Sequence, residues 1–421
     1  MRNNNVLENV NSLMIAIILT SGMIARMIAA VGIFSEGMVP VLFIIALIVS
    51  YTIVIMTKTK VSFEKNSVIF IYIIILAFLL SFLFRGIDSY TYVYFIEFIF
   101  YGIITYLLSR VKYSPSLVIY FTMLIGNIIL INPLAFKDYI SRGYFYDFVS
   151  MDATYAILPS IVATIIYFMF IKKKGNLLIN FITLLSNGYL LYILLFEGTR
   201  GAIVAILLLL IIIAYILLSR KMKINMGTGS FYSFFMAILF VGITIAAINI
   251  QKVLLWIESL LRSYDIEIAA ITKTINMVER DGLLGILNAR DRVYERGYEL
   301  FSESPIWGHG IGSYADIYYG TYPHNLFLHL LVEGGLILTI PFTLIIIITL
   351  WILLKSWVKE DILNEKRIFI LFLSIVCIPR LMLSSYLWKE QALWLLIFFL
   401  FTFLSKHKEH PENIDFVKQK T

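Results

Sequence analysis

Charge and cysteine are what this 421-residue chain has least of. Only 14% of its residues are Asp, Glu, Lys or Arg, 60% are apolar, and the mean hydropathy is +0.88. A soluble domain carries about 25% charged residues. A water-facing surface cannot be built from this composition, and the bilayer is the solvent for most of the chain. The single cysteine, Cys377, lies in an apolar run, which excludes an intramolecular disulfide and a cysteine metal site. No HExxH pattern or clustered carboxylates occur, so no catalytic metal is expected. P-loop and dinucleotide fingerprints are missing too, and no cofactor is expected. The formal charge of +7 comes from basic residues scattered over short loops, which speaks against nucleic acid.

What is abundant is uninterrupted apolar sequence. Crossing a bilayer takes about 20 residues per helix. Such runs lie near 12–33, 38–56, 66–84, 91–108, 116–133, 153–171, 177–195, 201–219, 231–250, 325–354, 367–385 and 391–405. They predict an all-α polytopic membrane protein of about twelve spans. The run at 325–354 is long enough to divide into a short helix and a span at Gly334-Gly335, because glycine weakens a helix interior. The first run continues too far for a cleaved leader and reads as a retained helix. No internal repeat of the transporter kind is found.

Alternate loops hold the basic residues: Lys58, Lys60 and Lys65; Arg110 and Lys112; Lys172 to Lys174; Arg220, Lys221 and Lys223; Lys355 to Arg367; and Lys406 with Lys408. The positive-inside rule makes these cytoplasmic, which puts both termini inside and the loops 85–90, 134–152, 196–200, 251–324 and 386–390 outside. The expected organisation is a membrane bundle of about nine spans over 1–250, a large external loop over 251–324, C-terminal spans over 325–405 and a polar cytoplasmic tail over 406–421. Within the loop, Val253, Leu254, Ile257, Leu260 and Leu261 recur at helical spacing, as expected of a helix lying in the membrane interface. A second amphipathic helix is expected from Arg290 to Ser302.

The outer side carries arginines where charge is normally avoided: Arg26, Arg85, Arg142, Arg200, Arg290, Arg292, Arg296 and Arg380. Arg26 and Arg380 fall within spans, where a central charge costs on the order of 3 kcal/mol, so each needs a wet or paired surrounding. An anionic ligand would compensate, and guanidinium is the group whose fork of donors fits phosphate. Arg200 is the best placed, in Thr199-Arg200-Gly201-Ala202, where free backbone N–H groups and the helix dipole favour an anion. Pairing with Glu197 is its structural alternative. For Arg26, Arg85, Arg142 and Arg380, pairing or snorkelling serves equally well.

His324-Asn325 lies where the outer loop meets the tenth span. A neutral imidazole there can take a proton from an attacking hydroxyl, and Asn325 can orient it or donate to substrate; a helix cap is the structural alternative. Glu333 follows nine residues later, about 13 Å along a regular helix and on its opposite face. Either the helix breaks there or Glu333 packs elsewhere. His309 and His329 read as structural.

These residues resemble the bacterial O-antigen ligases and the related O-antigen and capsule polymerases. The matching pieces are Thr199-Arg200-Gly201-Ala202, Arg290 with Tyr294 and Leu300, Pro305-Ile306-Trp307-Gly308-His309-Gly310-Ile311-Gly312, and His324-Asn325 with Glu333 and Gly335. Tyr294 stands where the family commonly has Trp. The likeness covers about 197–340; the first half matches in general architecture only. It implies a metal-independent glycosyltransferase of the external face of the cytoplasmic (inner) membrane. The donor would be a glycan on undecaprenyl diphosphate, and the acceptor a second glycan or a lipid A core. Arg200 and Arg290 would hold the leaving diphosphate and His324 would activate the acceptor hydroxyl. Arg292 is a substitute for Arg290, and Asn325, Glu333, Arg380 and Arg26 are further substrate-binding candidates. A chain-length regulator and a flippase would be partners. A flippase or transporter is the rival reading.

Overall fold

The computed structural model describes residues 2–33, 36–86, 89–141, 150–171, 176–221, 250–266, 268–281, 290–355 and 365–409. Regular structure among them is helical throughout. The first helices are α1 (Arg2–Leu19), α2 (Ser21–Ala30), α3 (Val39–Thr57), α4 (Lys65–Arg85) and α5 (Tyr90–Arg110). There follow α6 (Pro115–Ile131), α7 (Pro133–Ser141), α8 (Met151–Ile171), α9 (Leu177–Phe196) and α10 (Arg200–Lys221). Polar residues mark several starts by accepting from first-turn N–H groups: Glu64 for α4, Ser114 for α6, Ser150 for α8 and Asn176 for α9.

Among the described residues seven helices are long and apolar enough to cross a membrane, and up to nine spans result if two bent pairs each count as one, against the twelve expected. The pair α1 and α2 bends by 69° at Thr20, and α6 and α7 by 93° at Asn132-Pro133. The expected run 231–250 lies outside the described residues except for Ile250. The last two expected runs are helices α16 (Glu365–Leu383), which carries Arg380 in its last turn, and α17 (Gln391–Glu409), whose apolar part covers Gln391–Ser405.

Burial runs against hydropathy. In α3 and α4 the most apolar windows have mean hydropathies of 2.7 and 2.9, yet only 22% and 28% of their residues are buried. The window of α8 is less apolar, at 2.0, and 72% of it is buried. Lipid tails are as apolar as leucine, so the interior gains nothing from extra hydrophobicity and selects small and hydrogen-bonding residues. Ser160, Thr154 and Thr164 of α8 are buried, Thr164 donating to the Ser160 carbonyl at 2.7 Å. Helices α16 and α17 pack against each other, with Trp388 and Trp394 fully buried beside them.

The segment between α10 and the next span folds as α11 (Ile250–Arg262), α12 (Ala269–Asp281), α13 (Arg290–Glu303) and the short α14 (Ser313–Ile317). The amphipathic stretch expected over 251–280 is thus two helices. The following helix, α15 (Leu326–Lys355), is broken at Gly335, whose φ of 56° and ψ of −155° are non-helical. Loop 305–310 fills the break. His309 N–H and Gly310 N–H donate to the Val332 and Glu333 carbonyls at 2.8 and 2.9 Å, while Leu336 and Ile337 N–H donate to the Pro305 and Ile306 carbonyls at 2.9 and 3.3 Å. Backbone groups that the break would strand in an apolar bundle are each satisfied. The approach is so close that a Cβ on Gly335 would collide with the Ile306 carbonyl, and one on Gly308 with the backbone of Glu333 to Gly335.

Gly335→Ala is therefore expected to destabilise the protein by about 1–3 kcal/mol through the forbidden backbone conformation alone. The thermal unfolding midpoint in detergent should fall clearly, whereas Leu336→Ala, at a position 42% exposed, should shift it little. An unchanged midpoint for Gly335→Ala would refute the account of the break.

Candidate active site

The loop that closes the break in α15 is held by α4, by α5 and by Glu333 of α15 itself. From α4, Arg85 donates to the His309 carbonyl at 2.8 Å and pairs with Asp316 at 3.2 Å, and Ser81 accepts from Ile311 N–H at 2.9 Å. From α5, Thr91 donates to the Ile311 carbonyl at 2.7 Å. From within, Glu333 accepts from Gly312 N–H at 2.9 Å and from the Trp388 indole at 3.1 Å. His329 Nε2 lies 3.0 Å from the same carboxylate. Glu333 is 2% exposed and both its oxygens are engaged within the protein. It ties the loop to α15 and to the turn before α17; the break that sequence reasoning allowed for lies two residues beyond it.

Helix α13 is seated on α15 by Leu300, Leu328, Val332 and Tyr314, with Tyr294 packed against them. The Tyr314 hydroxyl donates to the Val293 carbonyl at 2.9 Å. The first residue of this helix, Arg290, is thereby brought within electrostatic reach of Arg200 and of His324. Arg200 begins α10 and donates to Thr274 of α12 at 3.4 Å. Its neighbour Gly201 is pressed against the Tyr155 hydroxyl, where a Cβ would clash. Glu197, the alternative partner of Arg200, is bound instead to Lys137 at 2.6 Å.

His324 stands between loop and helix with a φ of 54°, a conformation rare outside glycine and a mark of local strain. Asn325 caps α15: its side-chain oxygen accepts from Leu328 N–H at 3.1 Å. The imidazole is half-buried, its ring centroid 4.2 Å from that of Tyr322. Its Nδ1 is buried and has no hydrogen-bond partner among the described residues. Burial, and then the Arg290 charge, push its pKa down to about 4. Burial likewise pushes the Tyr322 hydroxyl up to about 12, so it stays a donor, to the Ser384 carbonyl at 3.0 Å.

The other candidates fall elsewhere. Arg292 is exposed on α13. Arg380 pairs with Glu390 at 3.1 Å and approaches Asp152 at 3.8 Å, and its guanidinium lies over the Tyr155 ring at 5.4 Å. Arg26 donates to the Gly22 carbonyl at 3.2 Å. Both Arg26 and Arg380 line one cavity of about 420 Å³. Arg85 is a strut of the loop, and Arg142 lies outside the described residues. His309 bonds the Leu300 carbonyl at 2.6 Å. Tyr155, Tyr322 and Ser384 join the site without any signal in the motifs. Arg380, named in the sequence as a charge within a span, is the residue that pointed to this end of α16.

The fold and site define a class first: a helical, multi-pass membrane protein with a cationic, histidine-bearing site where a loop meets a broken span. Residues 185–343 match the family model described as O-antigen ligase. That stretch holds α13, the 305–312 loop, Arg200 and His324, and the match supports the O-antigen ligase/polymerase family. No curated protein matches the chain.

The imidazole of His324 is expected to titrate near pH 4 rather than 6.5, observable by NMR of the labelled ring. Replacing Arg290 by Ala should move the midpoint upward, since a like charge is removed. Between those two values the unfolded chain binds the proton first, so stability should fall as the pH is lowered through this window. A midpoint near 6.5 in the parent protein would contradict the site geometry.

Proposed function

We propose that this protein is a glycosyltransferase that polymerises undecaprenyl-diphosphate-linked oligosaccharide repeat units into O-antigen, capsule or exopolysaccharide. It acts without a metal, on the outer face of the cytoplasmic membrane, with about twelve spans and both termini inside. The observation that carries the reading is the convergence of Arg200, Arg290 and a neutral, partly buried His324, together with the family match over 185–343.

In this reaction the acceptor hydroxyl gives its proton to His324 and its oxygen attacks the anomeric carbon. The bond from that carbon to the diphosphate breaks in line, with inversion, and undecaprenyl diphosphate leaves. Charge grows on the leaving group in the transition state, where fixed guanidinium groups lower the barrier most. Arg290 weakens the resting base; a diphosphate bound beside it offsets the positive charge and restores basicity to the imidazole. The base thus becomes competent when the donor is in place. Glycan acceptor, chain-length regulator and flippase are the partners of this activity.

The second reading is an O-antigen ligase that transfers the lipid-linked glycan to a lipid A core. It is favoured by the description of the matching family.

His324→Ala and Arg290→Ala should each lower polymer formation by about 100-fold or more, with lipid-linked single units exposed outside. Accumulation of those units inside the cell would make the protein a flippase. Deletion of the gene should leave single repeats in place of long chains on a gel; long chains retained on the lipid carrier would establish the ligase.

A further inference from the structure

Beside the His324 site, the 69° bend between α1 and α2 opens the cavity of about 420 Å³ already met at Arg26 and Arg380. Its charges are balanced: Arg26, Arg380 and Lys389 face Glu97, Asp152 and Glu390. Several of its polar atoms are buried without a hydrogen-bond partner among the described residues, namely Ser21 Oγ, Glu97 Oε2 and Arg380 Nε. Ser21 is fully buried. The other Glu97 oxygen accepts from the Tyr386 hydroxyl at 2.8 Å, which fixes the free one. Unsatisfied buried polar atoms are costly and rare in a finished core, and several belong to residues that line this one cavity.

The chemistry differs from that of Arg200 and Arg290. A diphosphate needs excess positive charge, whereas this cavity offers equal numbers of cationic donors and carboxylate acceptors. That mixture suits a ligand whose groups both donate and accept, as sugar hydroxyls do. Tyr101 and Tyr155 supply aromatic rings on its wall. A chain of side-chain contacts joins the cavity wall to the base. Tyr155 donates to Ser384 Oγ at 3.1 Å, the Ser384 carbonyl accepts from Tyr322 at 3.0 Å, and the Tyr322 ring lies 4.2 Å from that of His324.

We propose that this cavity is the acceptor-sugar site, in which Glu97, Ser21 and Arg380 bind the hydroxyls of the glycan that attacks at His324. The proposal rests on the glycosyltransferase reading and adds where the acceptor is held. It separates two jobs among the arginines: Arg200 and Arg290 for the diphosphate, Arg380 for the acceptor.

The test uses the full-length protein in nanodiscs and two probes. One is undecaprenyl diphosphate; the other is the oligosaccharide released by mild acid from the lipid-linked pool of a host lacking this gene. Glu97→Gln and Ser21→Ala should each weaken oligosaccharide binding about tenfold and leave undecaprenyl diphosphate affinity within about twofold, about one hydrogen bond to a charged or neutral group being lost. Arg290→Ala should do the reverse. Unchanged oligosaccharide affinity in both cavity variants, or loss of undecaprenyl diphosphate instead, would overturn the acceptor site while leaving the enzyme reading intact. If the parent protein bound neither probe, the glycosyltransferase reading itself would fall.

Discussion

The rest of the structure depends on the four backbone hydrogen bonds that stitch loop 305–310 into the break of α15. An interrupted helix in an apolar bundle is tolerated only where other protein groups satisfy the freed carbonyls and amides. The loop that performs this service also carries the carbonyl of His309, bound by Arg85, and runs on to Gly312, bound by Glu333. Fixing it in place fixes α13 against α15, and so sets the first residue of α13, Arg290, against His324.

Charge in this bundle is handled in three ways. Some groups are used up by structure: Arg85 on Asp316, Glu333 between Gly312 and Trp388, Lys137 on Glu197. Others lie near a like charge, as Arg290 does near Arg200. Folding alone gains nothing from that second arrangement, since like charges close together destabilise each other. Shifted ionisation gathered at one place in this way is what marks the site as the candidate. The neighbouring cavity, with paired charges and unsatisfied oxygens, is built on a third pattern, polar but neutral in sum.

Much of this was legible in the sequence because the signals are local. Apolar length found the seven helices able to cross a membrane, though not a count of twelve, periodicity found α11 and α13, and a run of arginine, glycine and histidine drew attention to the candidate site. Helical geometry also held: Glu333 does not aim at His324. What could not be read depended on tertiary contact. Asn132-Pro133 announced a boundary, but not that α6 and α7 would bend by 93° there. Nothing around Tyr155 or Ser384 marks them, since each reaches the site only because α8 and α16 pack side by side. The role of Tyr294 is likewise invisible locally, because Leu328 and Val332 meet it from a different helix.

The inverse relation between hydropathy and burial bears on where this chain is free to vary. In α3 and α4 most side chains lie outside the buried interior, and one aliphatic residue serves there as well as another. In α8, a serine, threonine or alanine holds its place by size and by a specific bond, and α16 and α17 bury nearly every side chain from Ile368 to Cys377 and from Ala392 to Leu400. The peaks of a hydropathy plot thus mark the most replaceable residues of this protein, and its shallower stretches the ones that a library of variants would find least forgiving.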